Sequence, residues 1–242
     1  MKSFKKLVIS FILVSLSGHA TDFAPDTRLN TAIYAADAKS AEQLFQELTG
    51  PDNNQQFWRA FLAYRIAPVY SQSDRAKAIQ YLDECIKHSD ALAADSPRKA
   101  EAMAFAALCY GQKIGYYPQL APALGSAAMA AKDTALAFGP DNPHVRLLLA
   151  INNLFTPTQW GGNPQHAQQE LQTLAGQLQA DTNWQWLLPD VHAYLAMAYG
   201  RRNEHAKASA ALEQAKTLAP HYSFLNNVIE PYLLKKQQIS KN

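Results

Sequence analysis

Apolar residues recur at three- and four-residue spacing along the chain after residue 20, and no stretch alternates between apolar and polar residues like a half-buried strand. Capping residues and prolines interrupt this pattern at regular intervals. Asp74, Ser96 and Asn142 can cap helices, and Pro97 and Pro143 then stand at first helical positions, where a missing N–H costs nothing. The pattern therefore predicts an all-α protein.

These signals divide the chain into a short first segment, a single helix, four helix pairs and a last helix. The last helix is expected to cover the apolar end of the stack. The predicted helices are a short one within Asp26–Ala36, then Ala38–Thr49, Asn54–Val69, Arg75–Ser89, Pro97–Ile114, Pro118–Phe138, Pro143–Phe155, Pro164–Gln179, Pro189–Arg202, Glu204–Leu218 and His221–Gln237.

The segment Pro189–Tyr222 has the spacing of one tetratricopeptide repeat, a unit of two antiparallel helices and about 34 residues. Its signature positions hold His192, Leu195, Ala196, Tyr199, Ala208, Leu212, Ala215 and Pro220. The other three pairs match this spacing less well, and the second pair departs from it most. We expect residues 21–242 to form one tetratricopeptide-like α-solenoid of about four pairs with a C-terminal capping helix; a nonrepetitive helical bundle is the alternative.

The first 20 residues have the order of segments found in a secretory signal peptide. Three lysines lie within Met1–Lys6, and Leu7–Leu16 is apolar except for two serines. Gly18 and Ala20 then supply the small residues of a cleavage site. The apolar run is shorter than the roughly 20 residues that span a bilayer. We therefore expect cleavage after Ala20 and a periplasmic location.

Removing residues 1–20 lowers the Lys and Arg count from 22 to 19 and leaves 20 Asp and Glu, so the net charge becomes −1. A chain without a basic stripe has no electrostatic footprint for nucleic acid. Nothing after residue 20 predicts a membrane span. Cys85 and Cys109 would enter an oxidising compartment, where they can form a disulfide or remain as two buried thiols. The strict geometry of disulfides favours the thiols.

The turn of the third pair carries a distinctive sequence. Asn142 and Pro143 precede a leucine-rich run, and Thr156-Pro157 and Trp160-Gly161-Gly162 follow it. This pattern resembles a group of exported bacterial tetratricopeptide proteins that includes the T component of TRAP transporters. The resemblance implies a periplasmic helical-repeat protein that pairs with a solute-binding protein and holds an apolar ligand.

In such solenoids the front helices line a concave groove, which predicts a binding site on the third and fourth pairs. Its candidate residues are His144, Leu147, Ile151, Phe155, Asp190, Met197 and Arg201. Trp160, in the turn, either folds under the helices as a plug or stands at the mouth of a pocket. The alternative for the apolar strip is that a neighbouring pair covers it.

No catalytic spacing is present: there is no HExxH or CxxC motif and no phosphate-binding glycine loop, so we expect no metal, no cofactor and no enzymatic activity. The first functional hypothesis is a noncatalytic periplasmic adaptor that binds a protein or peptide. The second is a carrier of small apolar or amphiphilic ligands that serves a TRAP-type transport system.

Overall fold

The computed structural model describes residues 25–34, 38–92 and 94–239, so the predicted signal segment and its cleavage point lie outside the described residues. The secondary structure within these ranges is helical, which confirms the all-α prediction. The helices are α1 Thr27–Tyr34, α2 Ala38–Glu47, α3 Asn53–Tyr70, α4 Arg75–Asp90, α5 Lys99–Tyr116, α6 Ala121–Phe138, α7 Pro143–Phe155, α8 Pro164–Leu178, α9 Leu188–Arg201, α10 His205–Leu218 and α11 Glu230–Ile239.

Side-chain caps set the start of several helices where the sequence predicts them. Asn142 Oδ1 accepts from the first free amides of α7, and Asp74 Oδ1 accepts from Lys77 N at 3.0 Å at the start of α4. These bonds satisfy amides that have no partner within the helix. The prediction that Pro97 opens a helix is wrong, because α5 begins two residues later at Lys99.

The helices form two layers. From α2 onward, each helix packs against the next one along the chain, and α3, α5, α7, α9 and α11 also contact one another in succession. This row is the inner layer, and it holds large side chains that are almost completely buried, including Phe57, Phe61, Phe105, Leu147 and Leu154. The core therefore runs along the row of helices from α3 to α11.

A disulfide between Cys85 and Cys109 joins α4 to α5. The packing of these two helices brings the Cα atoms to 6.6 Å, within the range that a disulfide requires. The preference for two free thiols is therefore wrong, and the bridged alternative is the one present.

The turn between α7 and α8 is built around two glycines. Gly161 has a φ of +87°, which glycine adopts at little cost. A Cβ atom on Gly162 would lie 1.8 Å from the Thr156 carbonyl oxygen, so only glycine fits there. Asn163 then caps α8 by accepting from His166 N at 3.0 Å. The turn is therefore a fixed structure determined by its own sequence.

No helix within the described ranges combines the length and the apolar character that a membrane span needs.

Candidate functional site

Four of the predicted groove residues lie in the core. His144, Leu147, Ile151 and Asp190 are each at most 4% exposed. The prediction that they line an open groove is wrong, because side chains from distant parts of the chain fill the space in front of α7 and α9. The alternative of a covered strip applies to these positions.

Asp190 is the centre of a buried polar cluster, which we call the Asp190 cluster. Its carboxylate accepts from Arg65 Nη1 at 2.8 Å, from the Tyr222 hydroxyl at 2.5 Å and from the Tyr34 hydroxyl at 3.3 Å. The Arg65 guanidinium also lies 4.9 Å from the centre of the Tyr222 ring. Residues from α1, α3, α9 and the segment after α10 thus meet at one carboxylate.

Burial sets the protonation of this cluster. It raises the pKa of Tyr34 well above its usual value, and the Asp190 charge raises it further. The pKa of Tyr222 is raised in the same direction, again mainly by burial. Both phenols therefore remain protonated at neutral pH and act as donors to the carboxylate.

A second buried group, the Glu101 cluster, contains Arg98, Glu101 and His144. His144 Nδ1 lies 2.6 Å from Glu101 Oε2, and Arg98 Nε donates to Glu101 Oε1 at 3.3 Å. Burial acts to raise the pKa of Glu101, but the Arg98 charge and the His144 hydrogen bond outweigh it and lower the pKa below its usual value.

Aromatic rings enclose this second cluster. The His144 ring lies between 5.1 and 6.3 Å from the rings of Phe57, Phe61, Phe105 and Trp186. Glu101 is fully buried, so its carboxylate pairs with His144 out of reach of solvent. In this arrangement the pair connects α5 to α7 within the core.

The other three, Phe155, Met197 and Arg201, lie at an open cleft, although Met197 is only 7% exposed. Phe155, Met197 and Arg201 line a cleft together with Tyr232 and Lys236 of α11, and we call it the edge cleft. Its volume is about 380 Å³. Phe155 is 47% exposed, so a large apolar surface remains available to a ligand.

The charged side of the edge cleft is positioned by the end of α7. Arg201 donates from Nη1 to the Leu154 carbonyl, and its guanidinium lies 6.0 Å from the centre of the Phe155 ring. The Lys236 ammonium lies 6.0 Å from the Tyr232 ring. Two cations and two aromatic rings therefore line the cleft, and no acidic side chain is among its lining residues.

Tyr232 carries an unusual polar atom. Its hydroxyl is buried and has no hydrogen-bond partner among the described residues, and burial raises its pKa. A Cβ atom on Gly200 would lie 3.1 Å from the Tyr232 ring, so α11 packs closely against α9 at this point. The glycine is what allows α11 to form one wall of the cleft.

Trp160 does not act as a plug. It is 59% exposed, which makes that interpretation wrong, and it is not among the residues that line the edge cleft. The fixed turn holds this ring at the surface, where its apolar area faces solvent.

The sequence pattern did not predict several residues that contribute to the buried clusters and the edge cleft. Arg65 and Glu101 are charged residues inside otherwise apolar helical stretches, which is a signal that could have marked them as members of buried clusters. Tyr232 and Lys236 were missed because α11 was expected only to cover the stack. Their role becomes visible only once α11 is placed beside α9.

Among the residues that the structure describes, no group of three or more His, Cys, Asp and Glu side chains is placed to hold a metal ion.

No protein-family model matches this chain, and no curated protein sequence matches it. The fold alone thus defines the class, an all-α protein whose successive helices pack in pairs around a row of inner helices.

Proposed function

We propose that the chain is a tetratricopeptide-like solenoid that works in the periplasm as a noncatalytic adaptor for a protein or peptide. The signal-like segment at residues 1–20 supports export, and the repeat spacing in Pro189–Tyr222 supports the solenoid. The observation that carries the binding role is the edge cleft, where three groove residues predicted from the sequence meet two residues of α11.

The chemistry of the edge cleft favours an acidic segment with a neighbouring apolar side chain. Arg201 and Lys236 provide positive charge, and a guanidinium can bind a carboxylate through two parallel hydrogen bonds. Phe155 provides an exposed apolar surface, and the largely buried Met197 adds a flexible side chain to the lining. A partner that presents both features would bury the exposed ring of Phe155 and neutralise the local positive charge.

The test is capture of partners from a periplasmic extract with the wild type and an Arg201→Glu, Met197→Ala variant. Circular dichroism first establishes that the variant is folded, because Met197 is only 7% exposed. Loss of a specific band with the variant is the expected result, because both changes fall in the edge cleft. Arg202→Glu is the matched control: this neighbouring residue is exposed but does not line the cleft. Identical recovery by all three proteins would remove the edge cleft as the contact site.

A second function uses the same cleft. Its volume of about 380 Å³ lies within the roughly 300–1,000 Å³ typical of small-molecule sites. The chain would then carry a small amphiphilic anion for a TRAP-type transport system and hand it to a periplasmic solute-binding protein. Native mass spectrometry of freshly purified protein separates the two proposals. A copurifying small molecule supports the carrier, and failure to bind any hydrophobic anionic probe argues against it.

A further inference from the structure

Helix α6 exposes a broad apolar face to solvent. The helix packs chiefly against α5, and Ala135 on that side is completely buried. On the opposite side Met129 is 67% exposed and Leu136 is 43% exposed. Only Lys132 and Asp133 are charged among its 18 residues, whereas an outer helix normally carries charged residues over its solvent face. The face therefore has the composition of a surface that packs against another molecule.

The exposed side chains of α6 form three rows along this face. Residues seven positions apart lie nearly above one another on a helix, so each row runs almost parallel to the helix axis. The middle row is polar, one flanking row carries the larger apolar side chains, and the other carries only alanine. The rows are Ser126 and Asp133, then Pro122, Met129 and Leu136, then Ala123, Ala130 and Ala137. The alanine row allows another helix to approach closely, and the larger side chains fill the space beside it.

A second copy of α6 that runs in the opposite direction fits the two apolar rows. In a dimer with two-fold symmetry both copies use the same surface, so each row must match its own reverse. With the two-fold axis near Met129, this residue meets its own counterpart, and Leu136 at one end meets Pro122 at the other. The alanine row meets itself unchanged. The larger side chains therefore pack together on one side of the contact, and the backbones approach each other on the other side.

The polar row decides between the two possible directions of the second helix. In the antiparallel pair, the Ser126 hydroxyl of each copy faces the Asp133 carboxylate of the other copy and can donate a charge-assisted hydrogen bond to it. In a parallel pair, the two Asp133 carboxylates would face each other, and neighbouring like charges are destabilising. The polar row therefore favours the antiparallel arrangement and provides it with two hydrogen bonds related by symmetry.

We propose that the exposed face of α6 binds a second copy of this chain in an antiparallel dimer with two-fold symmetry. A helix of 18 residues is about 27 Å long, so a strip about 12 Å wide gives a contact of about 300 Å² per copy. Stable dimers bury roughly 800 Å² per partner, so this dimer is weak and depends on protein concentration. No residue of α6 lines the edge cleft, so the proposal stands independently of the function proposed above.

Analytical ultracentrifugation of the chain without its predicted signal segment tests the proposal. Between about 1 and about 500 µM the wild type should shift from monomer to dimer, as a small interface requires. Met129→Glu should dimerise at least roughly tenfold more weakly, because it places two carboxylates at the symmetry axis. Leu234→Glu is the matched control: it makes the same kind of change at an exposed leucine of α11 and should dimerise like the wild type. A wild type that remains monomeric throughout would overturn the proposal.

Ser126→Lys tests the direction of the second helix. In the antiparallel dimer each new ammonium faces the Asp133 carboxylate of the other copy. Dimerisation should then tighten about fivefold at low salt, and this gain should shrink as the salt concentration rises. In a parallel dimer the two ammonium groups would face each other and weaken the contact. Unchanged or weaker dimerisation by this variant would overturn the antiparallel arrangement and the proposal with it.

A lipid surface is the other occupant that an apolar face could take. Flotation of the wild type with phosphatidylcholine vesicles examines this alternative. A monomeric wild type that floats with the vesicles, with flotation lost in Met129→Glu, would assign the face to lipid and overturn the proposal. Thermal unfolding establishes that Met129→Glu is folded, as expected for an exposed side chain. If it is not folded, Ser126→Asp replaces it, because that change places a second carboxylate opposite Asp133 in the dimer.

Discussion

Replacing Asp190 with asparagine should destabilise the protein strongly. The change removes the negative charge that faces Arg65 at 2.8 Å, in a site where the two side chains are 5% and 11% exposed. Removing one member of a buried ion pair typically costs about 3–5 kcal/mol, because the remaining charge stays in a poorly solvated place. The amide oxygen also cannot accept from all the donors that the carboxylate serves.

The assay is chemical denaturation, with thermal unfolding as a second measure. For a domain of this size, a loss of about 3–5 kcal/mol corresponds to a fall in Tm of roughly 6–20 °C. Glu204→Gln is the matched control, because it breaks two surface ion pairs, with Lys207 at 2.6 Å and with Arg202 at 3.0 Å. That change should lower Tm far less than Asp190→Asn, because solvent screens exposed charges.

A double substitution tests the reasoning further. Arg65→Met combined with Asp190→Asn removes both charges, so the pair should cost clearly less than the sum of the two single changes. Strict additivity, or a cost below about 1 kcal/mol for Asp190→Asn, would refute the claim that an uncompensated buried charge causes the loss.

Three other predictions concern stability. Burial, aided by the Arg59 charge, lowers the pKa of His88 to about 4. In the unfolded chain this pKa lies near 6.5, so the contribution of His88 to stability is fully present above pH 6.5 and is lost as the pH falls towards 4. In urea titrations the wild type should lose about 2 kcal/mol more than His88→Gln between pH 7 and pH 5; equal losses would contradict this. Replacing both Cys85 and Cys109 with serine should lower the free energy of unfolding by about 3.5 kcal/mol, the value expected for a sequence separation of 24. The reduced wild type is the control, and it should lose a similar amount. Gly162→Ala should destabilise the protein by about 1–3 kcal/mol, because the new Cβ would clash with the backbone. Gly125→Ala has open space around it in α6 and should stabilise the protein by about 0.5–1 kcal/mol. Thermal unfolding that ranks the two variants in the opposite order would contradict the packing argument.

Local structure was largely predictable from the sequence, because its determinants lie close together along the chain. Helix α7 has the predicted bounds Pro143–Phe155, since the Asn142 cap and Pro157 fix its ends within a few residues. The two glycines of the following turn also have the conformational roles that their positions indicate.

The binding site was less predictable, because it depends on how distant helices meet. A repeat pattern assigns His144 and Asp190 to a groove, because they occupy front-helix positions. In the structure both lie in the core, where they pair with Glu101 and Arg65. These partners are 43 and 125 residues away in sequence, and no local spacing encodes such pairings. Phe155 and Arg201 are exposed because α11 packs beside them rather than over them.

The meeting of Tyr34 and Tyr222 at Asp190 has a consequence for how the chain can change its length. In an open helical array, each unit touches only its neighbours, so units can be added, lost or melted one at a time. Here α1 and the segment that follows α10 share one carboxylate. Inserting or deleting a helix pair would separate the Tyr34 and Tyr222 hydroxyls from the Asp190 carboxylate. These hydrogen bonds therefore fix the number of helix pairs, and the helices should unfold in a single cooperative transition.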